Sequence, residues 1–164
     1  MELIDLLDEN RKSTGETIER GKTIPEGRYK QSVHIWITNS KGEIYIQKRA
    51  ECRKIFPGFW ENPGGGVVRG QTPTETLKKE FLEELGINIT GKVSFVTTIR
   101  RKKDFVDIWH ITQDFDISDL HLQEDEVSEG RWVTLEEIEN MIDKNQFCPT
   151  ILDSFNPFLQ YLNK

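Results

Sequence analysis

At 164 residues, with 35% hydrophobic and 10% aromatic side chains, the chain has the size and composition of one packed domain, and whole-chain disorder is excluded. Twenty-two Lys and Arg against 28 Asp and Glu leave a formal charge of −6, which argues against a general nucleic-acid binder. No apolar run approaches the roughly 20 residues of a membrane span, and the acidic start lacks the basic-then-apolar pattern of a secretory signal, so a cytoplasmic protein without membrane contact is expected.

In chain order, residues 2–8 are a short apolar-acidic stretch. Residues 9–31 are polar and punctuated by Gly15, Gly21 and Gly27, which reads as loops with room for a short hairpin. Residues 32–38 are rich in β-branched and aromatic side chains, 39–42 form a turn, and 43–49 form the next strand. Residues 50–70, with Pro57, Pro63 and five glycines, must be mostly loop. A helix over 73–85 then begins with unusual clarity. Thr72 suits the N-cap, Pro73 the first helical position, and Glu75 the third place of a capping box. Leu77, Phe81 and Leu85 make an apolar stripe, and Gly86 ends the helix.

Strands are expected over 92–100 and 105–115, separated by the charged turn 101–104, with a short strand at 131–133. Thr134 and Glu137 form a second capping box, opening a helix to Asp143, and 149–162 reads as helical with an interruption near Pro157. Strands and helices mix without strict βαβ alternation, so the fold class is α+β with a mixed sheet between helices. Without an internal break, residues 1–164 form a single domain in which 1–31 is an N-terminal extension. Cys52 and Cys148 are far apart and in no CxxC, so neither a disulfide framework nor a zinc site is built from them, and Cys52 reads as a small apolar filler.

The chemistry concentrates on the helix over 73–85. Glu80, Glu83 and Glu84, at i, i+3 and i+4, share one face opposite the apolar stripe. A lone cluster of this kind usually just faces water. Here Pro63-Gly64-Gly65-Gly66 precedes it, and glycines let a backbone approach a ligand closely. Clustered carboxylates repel one another, and a hard divalent cation would relieve them. The residues Gly65-x5-Gln71-x7-Lys79-Glu80-Phe81-x-Glu83-Glu84-x-Gly86-Ile87 resemble the Nudix box, G-x5-E-x7-R-E-U-x-E-E-x-G-U with U apolar. Arg49-Ala50, residues 56–60, and Asp125-Glu126-Val127 with Arg131-Trp132 look like features that flank that box. The first half is most similar to the branch related to type I isopentenyl diphosphate isomerase.

This resemblance implies an α/β/α sandwich with a mixed sheet and a pyrophosphohydrolase using Mg²⁺ or Mn²⁺ on a small-molecule diphosphate substrate. It implies metal binding by Glu83 and Glu84, with Glu80 as ligand or base and the Gly64 carbonyl as a backbone ligand. It implies a further acid at Glu126, with Glu124 and Asp125 as competitors, and diphosphate contacts by Arg49 and Arg53. Lys54 reads as solvated, and so does the four-cation turn 100–103; His34 and His110 read as packed. Two positions depart from the box: Gln71 replaces a Glu and Lys79 an Arg, which loses the two-pronged hold on a carboxylate. They keep a rival open, a catalytically weak diphosphate-binding sensor. Isomerase activity is disfavoured, because Gly65 and Val67 stand where the isomerase's cysteine and histidine are required. Oligomeric state is open, a homodimer included.

Overall fold

The computed structural model describes residues 2–164. β1 (Leu3–Leu7) and β2 (Ser13–Glu19) form an antiparallel two-stranded hairpin. Polar composition hid β2, because a strand with most of its residues facing water need not alternate. The main sheet is built from β3 (Lys30–Thr38), β4 (Ile44–Arg49), β5 (Trp60–Glu61), β6 (Gly64–Gly66), β7 (Lys92–Arg100), β8 (Asp104–Thr112) and β9 (Val127–Val133). β9 starts four residues before the stretch expected from sequence, since its first half is Ser-Glu-Gly and only Val127 and Gly130 point inward. β8 starts one residue earlier than expected and stops at Thr112. Phe115, beyond it, packs in a loop on Tyr45 and Trp132.

β3 lies parallel to β8 over all nine of its residues and is buried from Ser32 to Thr38. Its hairpin partner β4 pairs with it only at Thr38–Ile44, then turns away to pair with β9 and β5. The fork between them is filled by residues 62–66. Asn62 Nδ2 donates to the Ile35 carbonyl at 3.1 Å, Ile35 N–H donates to the Pro63 carbonyl at 2.8 Å, and β6 pairs with β3.

Two cores lie on opposite faces of the sheet, as in an α/β/α sandwich. α1 (Pro73–Leu85) lays Leu77, Phe81 and Leu85 on Ile35, Ile37, Tyr45 and Ile111. On the other face, α2 (Leu135–Asp143) and α3 (Leu152–Leu162) bury Ile138, Phe155 and Phe158 around Trp36. The Trp36 and Phe158 rings stack at 4.7 Å, and Trp36 Nε1 donates to Ser154 at 3.2 Å. That packing explains why α3 runs through Pro157 without the expected interruption. The proline is half-buried and loses one helical hydrogen bond, while the residues on either side of it hold the helix to the core.

Both helix starts follow the sequence. Thr72 Oγ1 accepts from Glu75 N–H at 3.2 Å, although the reciprocal bond of a capping box is absent; at Thr134 the box is complete. Gly86 ends α1 in the left-handed region at φ 72°, and a Cβ there would lie 2.4 Å from the Cβ of His121. Gly86→Ala should therefore cost at least about 1–2 kcal/mol, the penalty for the left-handed conformation alone. The check is urea unfolding, with a lower midpoint at unchanged slope.

Candidate active site

A cavity of ≈ 670 Å³ opens at the fork between β3 and β4. α1 faces it across β6, whose three glycines put no side chain in the way. A Cβ on Gly65 would lie 2.5 Å from the Glu80 carboxyl carbon, so that carboxylate rests directly on the backbone. Glu84 Oε2 accepts from the Gly64 N–H at 3.1 Å. Both acids are buried rather than on an open helix face, as sequence periodicity implied: Glu80 is 8% exposed and Glu84 5%. Glu83 is the one that reaches solvent, 3.9 Å from Lys79. The acids were expected opposite the apolar stripe, but Glu80 stands three residues from Leu77 and Glu84 three from Phe81, so both flank that stripe, where β6 covers them.

Burial, then the charge of Glu83, pushes the Glu80 pKa up to about 7. Burial raises Glu84 well above the usual carboxylate range, with Glu61 and Glu80 adding repulsion. Glu61 is an acid that the sequence reading did not single out. It is buried on β5, tied to Arg49 Nη1 at 2.8 Å and to Gln47 at 3.4 Å. Its sequence signal is its place three residues before the first of the three glycines. Arg49 also donates from Nε to the Ile55 carbonyl at 3.0 Å, which leaves Nη2 as its remaining donor group.

Glu126 lines the cavity and Glu124 and Asp125 do not. Arg53 stands 3.8 Å from Glu126. From the N-terminal hairpin, Arg20 and Glu2 also reach the cavity, paired at 3.0 Å, a contribution that the sequence did not single out. Gln71 lies outside it, accepting from Thr76 Oγ1 at 3.1 Å at the start of α1. Lys54 is exposed as expected. Arg101 is not solvated: it holds Asp104 with two nitrogens, at 2.8 and 2.6 Å, and donates to the Thr150 carbonyl at 2.6 Å. Cys52 is exposed, its Sγ 3.3 Å from the Asp125 carbonyl, and is no filler.

Among the described residues, no three acidic, imidazole or thiol side chains converge as a ready-made cation cage. Glu80 and Glu84 are turned to β6, and Glu83 to Lys79. The isomerase alternative meets a steric obstacle at Gly65, where any side chain collides with Glu80. Asp107 on β8 is held by Arg11 at 2.8 Å through both carboxylate oxygens.

Comparison with known proteins gives these residues a family. The NUDIX domain model matches residues 28–152. An uncharacterised Nudix hydrolase of Listeria monocytogenes is 37% identical over 155 residues, covering 91% of this chain and 89% of the relative. An isopentenyl-diphosphate Delta-isomerase of Photorhabdus laumondii is 26% identical over 156 residues, covering 90% and 89%. A crystal structure from Deinococcus radiodurans superposes with a TM-score of 0.78 at 21% identity, covering 90% of this chain and 92% of that one. The domain match and the Listeria relative, along most of the length, make this chain a member of the Nudix hydrolase family.

Proposed function

We propose that the protein is a divalent-cation-dependent hydrolase that cleaves the diphosphate linkage of a small molecule such as a nucleoside diphosphate derivative. The observation that carries this reading is the burial of Glu80 and Glu84 together against side-chain-free β6, in a cavity that also holds Arg49, Arg53 and Lys79. Withdrawing two carboxylates from water beside Glu61 is unfavourable unless protons or a cation join them, and a cation does so with both ionised. The donors are all oxygens, which suits Mg²⁺ or Mn²⁺. Glu80, Glu84 and the Gly64 carbonyl would hold the ion, and Glu83 would join by turning from Lys79. Such an ion supplies polarisation of the diphosphate and a lowered pKa for the attacking water.

The chain's own groups supply the rest. Arg53 and Lys79 are in loose pairs only, at 3.8 and 3.9 Å, and are free to hold phosphate oxygens. Arg49 orients Glu61 and offers Nη2. Two carboxylates in the cavity are placed to accept the proton of the attacking water: Glu126, and Glu80 where it does not ligate the ion. A panel of nucleoside diphosphate derivatives, nucleotide sugars, dinucleotides and prenyl diphosphates, assayed with Mg²⁺ and Mn²⁺, tests the reading. Tight binding without cleavage of any member would favour the sensor instead.

Three outcomes are expected. Glu84→Gln keeps the shape of the site and removes a charge, so calorimetric Mn²⁺ affinity and kcat should each fall by about 100-fold or more. Equal Mn²⁺ affinity in variant and wild type contradicts the assignment. Second, Glu80 is protonated more readily folded than unfolded, so metal-free stability should fall as pH rises from 4.5 through about 7. Glu80→Gln removes the Glu80 share of that slope while Glu84 keeps its own, and at pH 8 in chelator the variant should be more stable by up to about 3 kcal/mol, roughly 2–4 °C in Tm per kcal/mol. Thermal melts at pH 5 and pH 8 check it. Third, isopentenyl diphosphate should not be converted to dimethylallyl diphosphate above background, as read by product analysis.

A further inference from the structure

On the α3 face of β3, Ser32, Trp36 and Thr38 each have a partner: Ser32 donates to Asp104 at 3.2 Å, Trp36 to Ser154 at 3.2 Å, and Thr38 bonds His110 at 2.7 Å. His34 is in the same row and only 5% exposed, yet its Nδ1 is buried without a partner. Asn62, 1% exposed, lies in the fork. Its Nδ2 donates to the Ile35 carbonyl at 3.1 Å, and its Oδ1 is also buried without a partner. The amide cannot be the other way round, because a carbonyl oxygen would then face a carbonyl oxygen.

Both residues line the cavity that contains the carboxylates. The only other such atom among the described residues, Trp109 Nε1, belongs to a residue outside it. The paired backbones of β3 and β6, where Ser32, Val33 and His34 meet Gly66, Gly65 and Gly64, lie between the His34 side and the Glu80 side, and one cavity borders both. Leaving a buried polar atom unpaired is unfavourable, and two in one cavity point to a ligand that pairs them.

The chemistry of that ligand follows from the two atoms. Asn62 Oδ1 can only accept, so the ligand must donate to it. His34 Nδ1 donates or accepts according to tautomer. Hydroxyl groups meet both demands, a carboxylate or phosphate fails at Oδ1, and a hydrocarbon fails at both. Arg101 does not compete, being occupied by Asp104 and the Thr150 carbonyl. We infer that, given the hydrolase reading above, His34 and Asn62 determine specificity by hydrogen-bonding a hydroxylated ring, the sugar of the substrate, where a prenyl chain would leave both atoms unpaired. A site built to bond a hydroxyl rejects the analogue that lacks it.

The test compares ribose 5-diphosphate with cyclopentylmethyl diphosphate, two five-membered rings with and without hydroxyls. Binding is measured by calorimetry with Mn²⁺ present, on wild type, His34→Phe and His34→Gln. Wild type should prefer the ribose compound by at least about 10-fold. His34→Phe should weaken it roughly 5–150-fold, the range for one unsatisfied buried polar group, with the cyclopentyl compound unchanged or tighter. His34→Gln should recover most of the loss. Equal affinities in wild type, equal losses for both compounds in His34→Phe, or no binding of either overturns the inference; the wild-type comparison decides even if the variants do not fold. Selective binding without cleavage of any diphosphate compound would remove the hydrolase reading and leave the subsite, whereas cleavage with indiscriminate binding would do the reverse.

Discussion

β3 and β4 part after the Thr38–Ile44 pair, and the wedge between them must be filled without side chains that would close it. Asn62, Pro63 and the glycines of β6 do this with backbone and one amide. Because the filling is thin, α1 can bring Glu80 and Glu84 up to the backbone from one side while His34 faces the same cavity from β3. The cores above and below, centred on Phe81 and on Trp36, fix the two faces between which the wedge opens.

The wedge also sets an energetic conflict. Hydrophobic packing of Leu77, Phe81 and Leu85 holds α1 in a register that buries Glu80 and Glu84 on the flank of the same face. The helix cannot turn those acids to water without lifting its apolar stripe off the sheet. Each buried aliphatic or aromatic side chain of that stripe is worth about 1.5–3 kcal/mol, enough to outweigh the strain of an ill-placed carboxylate. The site is thus held by a core that is indifferent to its chemistry.

Much of this was legible in the sequence, and for local reasons. Thr72, Pro73 and Gly86 delimit α1 through bonds within a few residues, and the span 73–85 is met at both ends. The strand at β3 follows from residues 32–38, of which five are β-branched or aromatic. What escaped depends on partners distant in the chain. β2 is a strand only because β1 pairs with it, and Glu61 is significant only because Arg49 and Glu84 lie beside it. The burial of Glu80 needed knowledge of what covers α1. The uninterrupted course of α3 at Pro157 needed Trp36, more than a hundred residues earlier.

The three glycines of β6 are chemically identical neighbours under unequal constraint. An added methyl at Gly64 would meet the Val33 carbonyl at 2.4 Å, which is backbone and cannot give way; at Gly65 it would meet the Glu80 carboxyl group at 2.5 Å; at Gly66 it would meet nothing within 4 Å. A genetic lesion at the first would break the sheet, and one at the second would spare the sheet and dislodge an acid. At the third it would pass unnoticed by the packing. Within a single tripeptide, then, the same change of codon separates a folding defect, a chemical defect and a change that adds a side chain to the cavity without disturbing the packing.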